Sequence, residues 1–271
     1  MTTVIEIQDA ADPRVADYVR LTDAELRREA GYFIAESPEV VRRLLAGSHP
    51  VRSVLVTPAR YPQLADDLAQ RDVTVFLAGQ AVMNEVAGFK LHRGVVAVAE
   101  RLPEPRLEKV IGAARTLAVL EGLNDQENLG AIFRSALALG IDAVLLDPTC
   151  ADPYYRRTVR VSMGAVFQLP FVRLADWPDD LEIVRRKGFE LLALTPDTDA
   201  ESIDDVPVRD AARRALLLGA EGPGLLPGTL ARVDRLVRIP IRPGFDSLNV
   251  GHAAAIAFHR LAEGRADHSS R

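Results

Sequence analysis

Hydrophobic and polar positions alternate along this chain with two periods. Between residues 33 and 99, short β-branched runs at 33–35, 51–57, 73–78 and 94–99 predict strands, and amphipathic stretches at 38–47, 63–69 and 80–87 predict helices. In the stretch 38–47, Val40, Val41, Leu44 and Leu45 share one face, Pro38 opens the helix and Gly47 closes it. A charged helix at 23–30 precedes these elements. Together they predict a small α/β unit.

The run Leu102-Pro103-Glu104-Pro105-Arg106 breaks the alternation with two prolines among charges, which places a boundary near residue 105 and divides the chain into 1–105 and 106–271. Beyond it the alternation restarts. Strands are predicted at 116–123, 143–147, 190–195, 215–220 and 236–241, and helices at 129–140, 181–187 and 253–261. Near-continuous apolar runs such as Ala215-Leu216-Leu217-Leu218 predict parallel strands covered on both faces. After Gly264 the composition reads as a disordered tail.

Charge and composition narrow the class. With 33 Lys and Arg against 38 Asp and Glu the net charge is −5, so a nucleic-acid partner has to be met by a local basic patch and not by a global field. Arg greatly outnumbers Lys, which suits phosphate and stacked bases and equally fits a high-GC genome. The single cysteine, Cys150, excludes an intramolecular disulfide and a multi-cysteine zinc cluster. No basic-then-apolar signal opens the chain, and no run approaches the roughly 18 apolar residues of a membrane span. A soluble cytoplasmic protein without a membrane partner is the expectation. No H-E-x-x-H or similar spacing suggests a metal, so none is expected.

Three loops carry the candidate chemistry, each after a predicted strand end, where open α/β sheets place their ligands. The first, Asn124–Gly130, leads into a helix bearing Arg134, whose neighbours Ala131 and Ala138 leave its guanidinium accessible. Free N–H groups at that helix start suit an anionic or polar ligand, although a capped helix with a surface Arg has the same signature. The second, Gly219-Ala220-Glu221-Gly222-Pro223-Gly224, combines close backbone approach with a lone carboxylate. It lacks the order and place of a dinucleotide fingerprint. The third runs from Ile239 to Val250 and enters an Ala-rich helix through Ser247-Leu248-Asn249, residues that also serve as helix caps.

In this order the loops resemble the SpoU or TrmH branch of the SPOUT RNA methyltransferases. The motif N-x-G-x-x-x-R stands as Asn128 to Arg134, G-x-E-x-x-G as Gly219 to Gly224, and I-P-M…S-L-N-V as Ile239-Pro240-Ile241 with Ser247-Leu248-Asn249-Val250. Ser162-Met163-Gly164-Ala165 resembles the family's S-x-G-A segment. The likeness covers residues 116 to 262, with Ile241 in place of Met and Gly251-His252 where small or apolar residues are common. Residues 14–100 more loosely resemble the L30e-like substrate-binding domain often fused in front, with Gly31 to Ser37 replacing G-x-F-x-x-E-G.

The resemblance implies an α/β fold: a C-terminal SPOUT trefoil knot, an exception to unthreaded folds, behind a small L30e-like RNA-binding domain. It implies S-adenosylmethionine as cofactor, held by Thr195, Leu218, Gly219, Glu221, Gly222, Ile239, Ile241, Ser247, Leu248 and Asn249. It further implies methyl transfer to a ribose 2′-hydroxyl by Arg134, Asn128, Glu221, Ser247 and Asn249. Free Arg has a pKa above about 12, so orienting the ribose and stabilising the alkoxide is as compatible a role for Arg134 as proton removal. The partners implied are RNA, with ribosomal RNA ahead of transfer RNA, and a second copy in a homodimer. Arg27-Arg28, Arg42-Arg43 and Arg156-Arg157 with Arg160 are candidate phosphate contacts, and Tyr154-Tyr155 a candidate base stack. His252 is open to a substrate contact, but paired with His259 seven residues on along a helix face it reads first as packing or surface. The alternatives are a non-catalytic RNA- or ribosome-binding protein keeping the scaffold, and a SPOUT enzyme that methylates a base nitrogen.

Overall fold

The computed structural model describes residues 2–19, 31–207 and 213–262. The charged helix expected at 23–30, with Arg27-Arg28, and the tail after Gly264 lie outside the described residues. The chain forms two compact units. One comprises the residues through Pro103 together with Pro153–Gln168, and the other Glu104–Asp152 with Leu169 onward. The chain therefore crosses between units not once, as the Pro-rich break suggests, but again on either side of 153–168.

The first unit holds a five-stranded sheet of β1 (Thr3–Ile7), β2 (Tyr32–Glu36), β3 (Val51–Val56), β4 (Thr74–Ala78) and β5 (Val95–Glu100), in the order β1-β4-β3-β5-β2. β1, β4 and β3 run parallel, and β5 pairs antiparallel with β3 and β2. Pro38–Ala46, Ala65–Ala69 and Gln80–Ala87 are helices, as their apolar spacing predicts. β1 escapes prediction because its alternation is weak and most of its residues are exposed.

The returning segment 153–168 completes the core of this unit, which changes the reading of several residues. Tyr154 is buried and stacks on Phe33 at 4.7 Å, and its hydroxyl meets His49 Nε2 at 3.0 Å. It is a core side chain and not a free base-stacking platform. Burial also holds the His49 imidazole below the usual histidine range. Arg156, on the helix Arg156–Val161, pairs with the buried Glu36 at 3.3 Å and lies over the Phe89 ring, so it is committed inside the unit. Arg42 pairs with Asp67 and Arg43 donates to the Met163 carbonyl. Of the expected phosphate contacts, these three are tied down. Ser162-Met163-Gly164 ends the helix: the Ser162 hydroxyl donates to the Val159 carbonyl, and both following residues have positive φ.

Ser37 stands where the resembled domain has glycine, and the backbone shows why. At φ 94° and ψ 148° it occupies a region open almost only to glycine, while its hydroxyl caps the next helix by accepting from Val40 N. Strain of about 1–3 kcal/mol exceeds the few tenths lost when glycine replaces a serine cap. After the extra unfolded-state entropy of glycine, Ser37→Gly should stabilise the protein by about 1 kcal/mol, raising Tm by roughly 2–4 °C in calorimetry. A lower Tm would show that the cap outweighs the strain.

The second unit is built on seven parallel strands: β6 (Thr116–Glu121), β7 (Ala143–Leu146), β8 (Phe171–Arg173), β9 (Phe189–Leu194), β10 (Glu201–Ser202), β11 (Arg213–Gly219) and β12 (Arg235–Arg238). Their order is β10-β12-β9-β11-β6-β7-β8. Leu117, Val119, Leu191 and Leu217 join one core layer with Val110 and Val184 of the flanking helices Leu107–Ala113 and Leu181–Arg186. Leu120, Leu192, Leu216 and Leu218, of opposite parity, are also buried, so the central strands are covered on both faces as their continuous apolar runs predict. Each such side chain contributes about 1.5–3 kcal/mol of burial.

Element ends depart from expectation at the loops. The helix expected from 129 begins at Gln126, because the Asp125 carboxylate accepts from Glu127 N and Asn128 N. The helix expected from 253 begins at Val250, capped by Asn249. β12 stops at Arg238, short of Pro240 and Pro243.

Candidate active site

β12, β9 and β11 are neighbours and parallel, so their C-terminal ends open together. The residues that follow them enclose one cavity of about 520 Å³. β9 contributes Leu194, Thr195 and Pro196; β11 contributes Leu218 and the Gly219–Gly224 loop; β12 leads to Ile239 and Ile241. Ser247, Leu248 and Asn249 close it with Val250 and Ala253 of the final helix, Val250–Ala262. All ten residues expected to bind cofactor line this cavity. Ile241, where the resembled family has Met, keeps its wall apolar.

The glycine loop is shaped by close backbone approach. A Cβ on Gly219 would lie 2.2 Å from the Gly224 carbonyl carbon and 2.4 Å from Leu225 N, which only glycine avoids. Gly224 N donates to the Ala220 carbonyl at 3.0 Å, folding the loop back on itself and holding Glu221 at the cavity edge.

Asn249 ties the loops together. Its Oδ1 accepts from Gly251 N at 3.0 Å and His252 N at 3.3 Å, while Nδ2 donates to Asn128 Oδ1 at 2.8 Å and Glu221 Oε1 at 2.6 Å. One amide thus caps a helix and joins all three sequence motifs. Gly251 is explained by the same packing, since a Cβ there would lie 3.2 Å from both Ala131 Cβ and Asn249 Oδ1. The bonds leave Asn128 Nδ2 and Glu221 Oε2 open, one donor and one acceptor beside the cavity.

Two expected site residues stand differently. Asn128 lies in the first turn of the helix Gln126–Ala138 and lines an adjacent cavity, reaching the first through Asn249. Arg134 is exposed on that helix, lines neither cavity, and makes no hydrogen bond or ion pair among the described residues. The anion site expected at the helix start is filled by the Asp125 carboxylate, which disfavours a second negative charge. His252 and His259 are exposed.

The sequence reading missed Glu121. This buried carboxylate ends β6 and accepts from Leu226 N at 2.8 Å, Thr229 Oγ1 at 2.6 Å and Trp177 Nε1 at 2.5 Å, clamping the segment after the glycine loop. A charge closing the apolar run Thr116-Leu117-Ala118-Val119-Leu120 was the available signal.

The cavity suits S-adenosylmethionine. Its volume lies in the range of small-ligand sites, about 300–1,000 Å³, its glycine cradle admits a ligand against bare backbone, and Glu221 complements a sulfonium charge.

Comparison with known proteins gives concordant findings. The sequence model of the SpoU rRNA Methylase family matches residues 115–259. An uncharacterized tRNA/rRNA methyltransferase of Mycobacterium tuberculosis (strain CDC 1551 / Oshkosh) is 45% identical over 94% of this chain and 91% of its own length. The 23S rRNA (guanosine(2553)-2′-O)-methyltransferase RlmP of Bacillus subtilis is 26% identical over 94% and 98%. The AdoMet-bound rRNA methyltransferase from Sinorhizobium meliloti superposes with a TM-score of 0.80 at 27% identity, covering 95% of this chain and 97% of that one.

Proposed function

The chain belongs to the SpoU rRNA Methylase family, and from that premise we propose that it transfers a methyl group from S-adenosylmethionine to a ribose 2′-hydroxyl of ribosomal RNA. The observation that carries the site assignment is the Asn249 amide, which joins Asn128 of the first motif to Glu221 of the second where the cofactor cavity meets its neighbour. When bound, S-adenosylmethionine supplies a methyl carbon on sulfonium, which passes to the 2′-oxygen as the C–S bond breaks and its electron pair stays on sulfur. Backbone at Gly219, Ile239 and Leu248 holds the adenosine part of the cofactor. Glu221 Oε2 takes the hydroxyl proton as the new O–C bond forms, and Asn128 Nδ2 donates to the same oxygen, fixing the nucleophile for in-line attack, where positioning supplies much of the acceleration.

Arg134, which lies outside both cavities, acts by orienting the RNA so that its ribose enters the site. Its guanidinium does not remove the proton. A homodimer fits the exposed apolar side chains of Phe245, Leu248 and Ile256 on the third loop and final helix, which a second copy would cover. The first unit serves as an L30e-like RNA-binding domain, and a trefoil knot carries the site loops.

The test is methylation of unmodified ribosomal RNA with labelled cofactor, followed by alkaline hydrolysis. Because cleavage needs a free 2′-hydroxyl, label is expected in alkali-resistant dinucleotides. Label released as mononucleotides would instead assign a base nitrogen. Arg134→Ala should lower turnover by roughly a hundredfold with cofactor affinity unchanged. Full turnover in that variant would remove Arg134 from the mechanism.

A further inference from the structure

The Glu221 loop has a second face. Ala220, Glu221 and Gly224 line both the cofactor cavity and a neighbouring cavity of about 670 Å³ over the C-terminal ends of β6 and β7. Among the described residues no Lys, Arg or His lines this second space, while Glu121, Asp125, Asp147 and Glu221 do, so it disfavours phosphate and favours a neutral group rich in N–H donors.

Its hydrogen-bonding inventory is specific. Both Glu121 oxygens are occupied, and both Asp147 oxygens are taken by Thr149 and Cys150. Asp125 Oδ1 caps the helix Gln126–Ala138, leaving Oδ2 open. Asn128 Nδ2, which lines this second cavity, and Glu221 Oε2, which lines both, are open as well. Trp177 adds a flat apolar surface, its indole held in place by the N–H bond to Glu121.

We propose that this cavity receives the acceptor nucleoside, with its ribose at Asn128 and Glu221, its base stacked on Trp177, and Asp125 selecting guanine. The inference rests on the ribose-methyltransferase reading and adds the identity of the base. Among the four bases only guanine presents two adjacent donors, N1–H and N2–H, to one carboxylate. Adenine and cytosine place an acceptor beside their single amino group, and uracil flanks its N3–H with two carbonyls. Each would leave an acceptor facing the Asp125 carboxylate.

Trp177 is the only tryptophan of the chain, so its fluorescence reads occupancy of this cavity directly. Protein loaded with S-adenosylhomocysteine is titrated with the RNA trinucleotides ApGpA, ApIpA and ApApA, inosine lacking the N2 amino group. Saturable quenching is expected with ApGpA, at least about tenfold tighter than with the other two. In Asp125→Asn, ApGpA should fall to the ApApA level without a change in Tm, since asparagine caps as well as aspartate. Equal binding of the three, or no saturable quenching by ApGpA, overturns the proposal. So does a tenfold loss of cofactor affinity in Asp125→Asn, which would assign the cavity to the cofactor's ammonium group. Methyl transfer to nucleotides other than guanosine would sink the base selection and leave the methyltransferase reading standing. Failure of the protein to bind S-adenosylmethionine would sink that reading, while the same trinucleotide series run on cofactor-free protein still reports on the cavity.

Discussion

Gly219→Ala protein should bind S-adenosylmethionine at least about a hundredfold more weakly than the parent chain, a loss of about 2.7 kcal/mol by calorimetry. The added Cβ would lie 2.2 Å from Gly224 C, 2.4 Å from Leu225 N and 2.5 Å from Gly224 O. These are backbone atoms, and no side-chain rotation relieves the clash. The loop must open, breaking the 3.0 Å bond from Gly224 N to the Ala220 carbonyl and displacing Glu221 from the cavity rim. Overpacking of this kind costs about 1–3 kcal/mol of stability as well, so Tm should fall by a few degrees. Gly228→Ala is the control, because its Cβ would meet nothing within 4 Å. Unchanged affinity in Gly219→Ala would show that the cradle does not hold the cofactor.

The second large effect separates two duties of one side chain. In Asn249→Asp the carboxylate still caps the final helix, since Asp and Asn are comparable caps, so the helix start itself is kept. The amide donor to Asn128 and Glu221 is gone, and two carboxylates now face each other across the 2.6 Å contact. Turnover should fall by roughly 10²–10³-fold, the scale of removing a preorganised polar contact at a reacting centre. Asn249→Ala should lose both turnover and about 1 kcal/mol of helix stability. If Asn249→Asp retains full turnover in a methylation assay, the link from Asn249 to Glu221 has no part in the chemistry.

The fold class and the lining of the candidate cavity were legible because their signals are local. Continuous apolar runs marked the parallel strands, and the glycines and the Ser-Leu-Asn stretch marked the strand-end loops. The assembly of those loops was not local. Leu194 and Ile239 share a cavity because β9 and β12 are neighbours in the sheet, and a crossover topology leaves no trace in periodicity. Arg156 and Tyr154 illustrate the opposite failure. A basic or aromatic pair looks like an RNA contact until tertiary structure supplies Glu36 and Phe33 as partners. β8 and β10, three and two residues long, offer no measurable period. Asp125 and Asn249 cap the helices that their loops enter, and those caps extended both helices by three residues beyond the apolar pattern.

The return of residues 153–168 to the first unit sets an order of assembly during synthesis. Phe33 and His49 receive Tyr154 and Phe167 as neighbours only after more than a hundred further residues have been added. By then β6 and β7 of the second unit have already left the ribosome. The first unit therefore cannot be completed from the amino-terminal residues alone, unlike a domain formed by one continuous segment. Part of the aromatic layer on the first sheet can therefore be covered only once the middle of the chain has been made.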